Sequence, residues 1–273
     1  MSTTTVTPRR STGRVVHPLW ASVLIIEAFW TWYKRNWRSS VTSSVLQPVL
    51  YLVALGIGFG SQVEPSATTL GLPYVQYLAP ALLVASALQT VSFDSTYPIL
   101  SGFKWQRVYI GMAATPITAG QIAAGQLIWI ALRLALTSAV FLLVATLLGA
   151  VTGPGVLLSL VFAVLAAMAF AAPVVAYSAT VDGEGQQFNV IFRFIVMPMT
   201  LFAGTYFPVD QLPVWVRPLA WITPLWHGTE LSRAAALGGL EPWPTIGHLA
   251  FLLAMLAVGC HLTRRNFIRR LAV

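Results

Sequence analysis

Eight carboxylates, four histidines and one cysteine are the side chains of this 273-residue chain best suited to acid–base or metal chemistry. His227 and Glu230 stand one helical turn apart, the spacing of two metal ligands or of an acid and its base. Two ligands without a third make a weak site, and no HExxH run accompanies them, so the pair points to a structural role rather than catalysis. Asp182 and Glu184 share a glycine-punctuated acidic turn, a second sparse carboxylate pair. Asp94 closes an apolar run and suits an ion pair with Arg107 or another cation. Arg133 lies inside a later run, where its long stem can carry the guanidinium toward the interface, and Arg193 stands near the start of another. An anionic lipid headgroup fits either arginine. A proton relay needs ionisable groups deep in the membrane, and these are too few to make one.

Nucleotide chemistry can be tested directly. A P-loop requires GxxxxGK(S/T), whose glycines let backbone N–H groups cradle the phosphates while the lysine reaches them. The lysines are Lys34, preceded by Tyr33, and Lys104, preceded by Phe103, so the chain carries no P-loop. If ATP drives this protein, ATP and Mg bind to a separate polypeptide. Cys260 stands alone in a hydrophobic run and can form no internal disulfide. No catalytic residue, metal site or cofactor is expected in the chain.

Hydrophobic residues make up 57% of the chain and charged residues 9%, far below the quarter or so of a soluble domain. With a mean hydropathy of +0.75 this describes a polytopic membrane protein. The net charge of +8 could mean nucleic acid, but the arginines cluster beside hydrophobic runs instead of interleaving with aromatics on a polar surface. Membrane lipids, not nucleic acid, are the implied partner. Residues 1–17 are Ser/Thr-rich and basic without an apolar core, which predicts a disordered cytoplasmic tail and no cleavable signal. Residues 18–273 then form one membrane domain.

The predicted fold is all-α, with six transmembrane helices, an N-terminal amphipathic interfacial helix and re-entrant outer helices between spans five and six. Over residues 18–38, Leu19, Val23, Ile26, Trp30, Tyr33 and Trp37 recur at helical spacing, while Glu27, Thr31, Arg35 and Arg38 lie opposite, the pattern of a helix lying on the cytoplasmic leaflet. Spans are expected at 41–61, 74–96, 117–150, 156–180, 188–207 and 246–262, with a polar loop at 62–73. Residues 98–116 make a break long enough for a short amphipathic helix carrying Lys104 and Arg107. In this arrangement the inner segments hold Arg9, Arg10, Arg14, Lys34, Arg35, Arg38, Lys104, Arg107, Arg264, Arg265, Arg269 and Arg270, and the outer ones hold Arg217 and Arg233. Both termini are therefore cytoplasmic.

The segment at 208–240 cannot cross lipid alone. Pro208, Pro213, Pro218 and Pro224 each remove a backbone donor, while Tyr206, Trp215, Trp221 and Trp226 favour a membrane interface. Broken helix at membrane depth survives only where protein or water shields its free polar groups, which predicts a re-entrant lid or outer gate built from Phe207, Pro208, Trp226, His227 and Glu230.

The order Phe-Pro-Val-Asp-Gln-Leu-Pro from Phe207, then Trp-Val-Arg-Pro-Leu from Trp215, then Pro-Leu-Trp-His-Gly-Thr-Glu-Leu from Pro224 resembles the permease subunits of type-2 ABC exporters. Within them it is similar to the bacterial branch that includes lipo-oligosaccharide (nodulation-factor) and daunorubicin-type exporters. The likeness runs from about Pro48 onward. Phe93, Asp94, Tyr97, Trp105 and Ala114-Thr115-Pro116 look like the family's cytoplasmic coupling region. The resemblance implies a permease in the bacterial inner membrane, working as a pair with an identical or homologous second chain and two cytoplasmic ABC ATPases that hold ATP and Mg. It also implies alternating access along a path between the two permeases. Glu27, Phe103, Lys104, Trp105, Gln106 and Arg107 are the expected ATPase-coupling residues. Where related permeases often carry Gly-Glu, this chain has Gly125-Gln126, which keeps hydrogen bonding and loses the charge.

The cargo follows from what the helices can line. Gln89 and Thr90 on span two, with Met197, Thr200 and Phe202 on span five, make a weakly polar surface suited to an amphiphile such as a lipid, glycolipid, lipo-oligosaccharide or hydrophobic drug. A membrane-embedded enzyme acting on lipid intermediates and a secondary transporter are the alternatives, the first resting on His227 with Glu230 and Asp182 with Glu184.

Overall fold

The computed structural model describes residues 18–59, 71–151 and 153–272. The expected tail at 1–17 and most of the loop expected at 62–73 lie outside the described residues. Among the described residues every regular element is helical. Helix α1 (Pro18–Tyr51) runs without a break into a π-helical stretch, Leu52–Phe59. This differs from the expected division into an interfacial helix ending at 38 and a span starting at 41. Residues 38–44 contain neither Pro nor Gly, so nothing there interrupts the backbone ladder. The stripe that α1 buries also differs. Ala21, Ile25 and Tyr33 are buried with Phe29 beside them, whereas Val23 and Trp30 are exposed. Both stripes are apolar, and periodicity alone could not say which one faces protein.

Helix α2 (Tyr74–Asp94) leads through a tight corner to α3 (Tyr97–Phe103) and α4 (Val108–Ala113). Thr118 starts α5 (Ala119–Leu147) with a reciprocal cap: its hydroxyl accepts from Gln121 N at 3.3 Å while Gln121 Oε1 accepts from Thr118 N at 2.8 Å. Helix α6 (Val156–Ser178) is followed by a short apolar rod made of α7 (Phe188–Val190), a π-helical stretch (Ile191–Val196) and α8 (Met197–Phe202). A 3-10 turn (Val209–Gln211), α9 (Arg217–Trp221) and α10 (Pro224–Leu237) precede the last helix, α11 (Pro242–Leu271). Among the described residues, four helical stretches are long and apolar enough to cross a membrane by length and composition: Tyr74–Phe103, Ala119–Leu147, Val156–Ser178 and Pro242–Leu271. At 30 residues α11 is about 45 Å long, so its arginine-bearing last turns outrun a bilayer core of about 30 Å.

Helix α6 is the axis of the bundle, with α2, α5, α10 and α11 packed around it. Its alanines at 163, 166, 167, 169, 171 and 172 are buried, and such small side chains let backbones approach closely where no hydrophobic effect drives helices together. Polar contacts then fix the register. Ser159 Oγ donates to Ser232 O at 2.6 Å, and Ser232 Oγ donates back to Ser159 O at 3.0 Å, joining α6 to α10. Thr263 Oγ1 on α11 donates to Ala172 O at 2.8 Å, and Ser178 Oγ at the end of α6 donates to Ser95 O at 2.7 Å.

At Gly259, α11 lies close against α6. A Cβ there would lie 2.5 Å from Pro173 Cδ and 2.7 Å from Ala172 Cβ. Gly259→Ala is expected to destabilise the bundle by about 1–3 kcal/mol, read as a lower thermal midpoint of the purified chain in detergent. Gly247→Ala on the same helix meets nothing within 4 Å and should leave the midpoint unchanged or raise it.

Candidate functional site

Of the coupling residues expected from sequence, Lys104, Trp105, Gln106 and Arg107 lie in the turn between α3 and α4, not on a helix, whereas Phe103 ends α3 and Glu27 is on α1. Phe103 is buried rather than presented to a partner: its ring packs 4.7 Å from Tyr109 and 4.8 Å from Phe267 of α11. Arg270 caps this cluster, its guanidinium 4.5 Å over the Phe103 ring, while Nη1 donates to Ala179 O at 2.8 Å. Lys104 is engaged as well. Its Nζ donates to Glu184 Oε1 at 2.6 Å and to Gly183 O at 3.2 Å, and that hydrogen bond, with the ammonium charge, holds the Glu184 carboxyl below its usual range. The base of the turn is thus tied to the α6–α7 loop and the end of α11.

Its tip is more exposed, although the Trp105 side chain also hydrogen-bonds to Glu184. Trp105 is 50% exposed, and Gln106 and Arg107 are exposed beside it. Arg107 has φ 54°, the only positive φ at a non-glycine among the described residues. A left-handed conformation costs an ordinary side chain roughly 1–2 kcal/mol, so the turn holds Arg107 where glycine would sit more comfortably. Glu27 is exposed on α1, next to Ala28, which shares a cleft with Gln106.

One level inward, Asp94 finds Arg133 rather than Arg107. Arg133 Nη1 donates to Asp94 Oδ1 at 2.8 Å, joining the end of α2 to the middle of α5, and the guanidinium lies 5.8 Å from the Tyr33 ring of α1. Gln126 accepts from the Tyr109 hydroxyl at 3.1 Å. Burial raises the Tyr109 phenol well above its ordinary value, keeping it a neutral donor for which an amide oxygen suffices. Of the expected path residues, Gln89 and Thr90 are half-buried on α2, and Met197 and Phe202 are exposed on α8. Thr200 is buried and donates to Val196 O of its own helix at 2.8 Å, so it faces packed protein and not a path.

At the other end of the bundle the pairings also differ from sequence spacing. His227 turns away from Glu230 and meets His248 of α11, Nδ1 to Nδ1 at 2.7 Å, with its Nε2 2.9 Å from Trp221 O. A carbonyl only accepts, so His227 Nε2 carries a hydrogen; in the neutral pair His227 Nδ1 accepts the proton of His248 Nδ1. Trp226 and Phe251 enclose the two imidazoles. Glu230 instead faces Arg233 at 3.4 Å. Arg233 donates to Gly204 O at 3.0 Å and lies 4.2 Å over the Tyr77 ring, and Tyr74 OH donates to Tyr206 O at 3.1 Å, so α2 and α10 hold the turn after α8. Beyond that turn, Val209, Leu212, Val216 and Ala220 form a small separate core against Phe207 and Trp226, with Pro208 in the chain between them. Asp182 and Glu184 lie against Arg270 and Lys104, so the carboxylate pair of the enzyme reading is divided between two cations.

Sequence reasoning missed Arg133 as the partner of Asp94, and also His248, Tyr109 and Arg270. Only the first had a usable signal: two lone opposite charges, each at or within an apolar run, have few other ways to be satisfied.

The ABC-2 type transporter family model matches residues 22–237. Nodulation protein J of Sinorhizobium fredii (strain NBRC 101917 / NGR234) is 31% identical over 219 residues, covering 76% of this chain and 82% of that protein. Nodulation protein J of Rhizobium meliloti (strain 1021) is 28% identical over 254 residues, or 89% and 94% of the two chains. A shorter stretch of 50 residues is 38% identical to the probable multidrug ABC transporter permease YbhR of Escherichia coli (strain K12), 18% of this chain and 13% of that one. No solved structure matches the chain.

The ion pair between α2 and α5 makes a sharp test. Asp94→Ala leaves a guanidinium buried without its carboxylate and should cost about 3–5 kcal/mol. The double variant Asp94→Ala/Arg133→Ala should lose less than the sum of the single losses, measured as thermal midpoints in a double-mutant cycle.

Proposed function

Since the chain belongs to the ABC-2 type transporter family, we propose that it forms the membrane path of an ATP-driven exporter that moves an amphiphile out of the cytoplasm or the inner leaflet. It is an integral membrane permease subunit and works with an ABC ATPase subunit. In the proposed complex two permease chains, identical or homologous, pair in a bacterial inner membrane, each with six spans and cytoplasmic termini. Two ATPases bind ATP and Mg beneath them. The cargo is a lipid, glycolipid, lipo-oligosaccharide or hydrophobic drug, and alternating access carries it past α2 and α8 to a gate at residues 208–240.

The observation that carries the reading is the α3–α4 turn. An exposed tryptophan with a polar residue and an arginine beside it is the composition of an interface anchor. Its base is tied by Lys104, Phe103 and Arg270 to the α6–α7 loop and α11. A push on Trp105 is then delivered to several helices together instead of bending a loop. The outer segment is held on α10, α2 and α11 by Arg233, Tyr74 and the histidine pair. Motion of those helices reaches the gate through the same contacts.

Reconstitution with the partner ATPase in proteoliposomes tests this. Trp105→Ala should reduce ATP-dependent transport of a fluorescent lipid at least about tenfold, the loss of one anchor residue, with the permease still folded. Arg107→Gly relieves the left-handed strain and removes only the cation, so it should raise the thermal midpoint while lowering coupling. Full transport and normal ATPase assembly in both variants would contradict the assignment.

A further inference from the structure

A cleft of about 340 Å³ lies between α1, the end of α2, α3, α4 and α5, behind the proposed coupling turn, and none of the expected path residues on α2 and α8 lines it. Its walls are of two kinds. Phe29, Trp32 and Trp129 supply aromatic faces, and Asp94, Arg133 and Gln126 supply polar groups at its inner side. Phe29 and Trp129 are stacked with ring centres 6.0 Å apart, so that wall is preformed, while Trp32 is 57% exposed.

The ion pair decides what headgroup the cleft suits. Asp94 and Arg133 meet through one hydrogen bond, Nη1 to Oδ1, although a guanidinium has five N–H donors and a carboxylate about four acceptor positions. The cleft therefore presents donor and acceptor capacity with no net charge. A hydroxyl both donates and accepts, and can bridge the two partners. A phosphate only accepts, and Asp94 repels it. Flat apolar rings beside neutral hydrogen-bonding groups match the C–H face and hydroxyl rim of a sugar, and the volume falls within the range of small-ligand pockets. Ser101 and Gln106 add uncharged polar groups to the lining.

We infer that this cleft is a loading site for the uncharged, hydroxyl-rich headgroup of a glycolipid in the inner leaflet, with its acyl chains left in the membrane beside α1. The inference rests on the export reading for its orientation and its purpose. It also explains why the cleft adjoins Gln106 and Tyr109: headgroup occupancy would be sensed at the turn that meets the ATPase.

The test uses the full chain in phosphatidylcholine nanodiscs without ATPase or nucleotide. Monoglucosyl diacylglycerol and phosphatidylglycerol, carrying the same NBD-labelled acyl chains, are titrated and binding is read by energy transfer from the protein's tryptophans. The glucosyl lipid should bind tighter than phosphatidylglycerol. Trp32→Ala should weaken it about tenfold, the loss of one stacked ring, while Trp32→Phe retains most of the affinity. Trp32 is exposed, so its removal leaves the core intact. Equal or tighter binding of phosphatidylglycerol would overturn the proposal, as would glucosyl binding indifferent to Trp32→Ala. Because no ATP is present, failure here leaves ATP-driven transport standing, and failure of transport leaves this binding result standing.

Discussion

The hydrocarbon core of a membrane supplies no hydrogen-bond partner, so each polar atom carried into it must be met by another atom of the protein. In this chain those meetings set the helix register. Ser159 and Ser232 exchange hydroxyl-to-carbonyl bonds between α6 and α10, Thr263 reaches Ala172 O, and Ser178 reaches Ser95 O. Asp94 and Arg133 neutralise each other across α2 and α5. Alanines along α6 give the close approach that such short hydroxyl bonds require. Slide α10 by one residue on α6 and both serine bonds and the van der Waals fit are lost together.

The same constraint shapes the two ends of the bundle. The proline-broken outer segment stays folded because Arg233 satisfies Gly204 O, Tyr74 satisfies Tyr206 O, and His227 is held between His248 and Trp221 O. At the other end Arg270 satisfies Ala179 O at the end of α6 and covers Phe103, while Lys104 closes the α6–α7 loop. The α3–α4 turn on its tied base and the proline-rich segment on its clamps are the two ends that the proposed coupling joins. The permease assigned by family membership needs such coupling, because its energy source is a different subunit.

Much of this was legible in the chain. Low charge and long apolar runs announced a membrane bundle, and the prolines between 208 and 224 announced a segment that must lean on protein. Other features depended on three-dimensional meetings between distant residues. His227 looked toward Glu230 because spacing sees only one helix; its partner is 21 positions away on another. Phe103 looked like a surface residue because its neighbours are polar, yet Phe267 and Tyr109 wait for it. The stripe of α1 that faces protein was ambiguous because lipid and protein both reward apolar side chains. The unbroken course of α1 followed from an absence of breakers that the change in polarity near residue 38 had obscured.

The account stands or falls on the coupling turn and the proline-rich segment lying on opposite sides of one membrane. With Cys260 replaced by serine, Trp105→Cys and Trp215→Cys each place a single thiol at an exposed position on one of these features. A membrane-impermeant maleimide applied to intact spheroplasts should label Trp215→Cys and should label Trp105→Cys only after lysis. Labelling of both thiols in intact spheroplasts, or of Trp105→Cys alone, would contradict it.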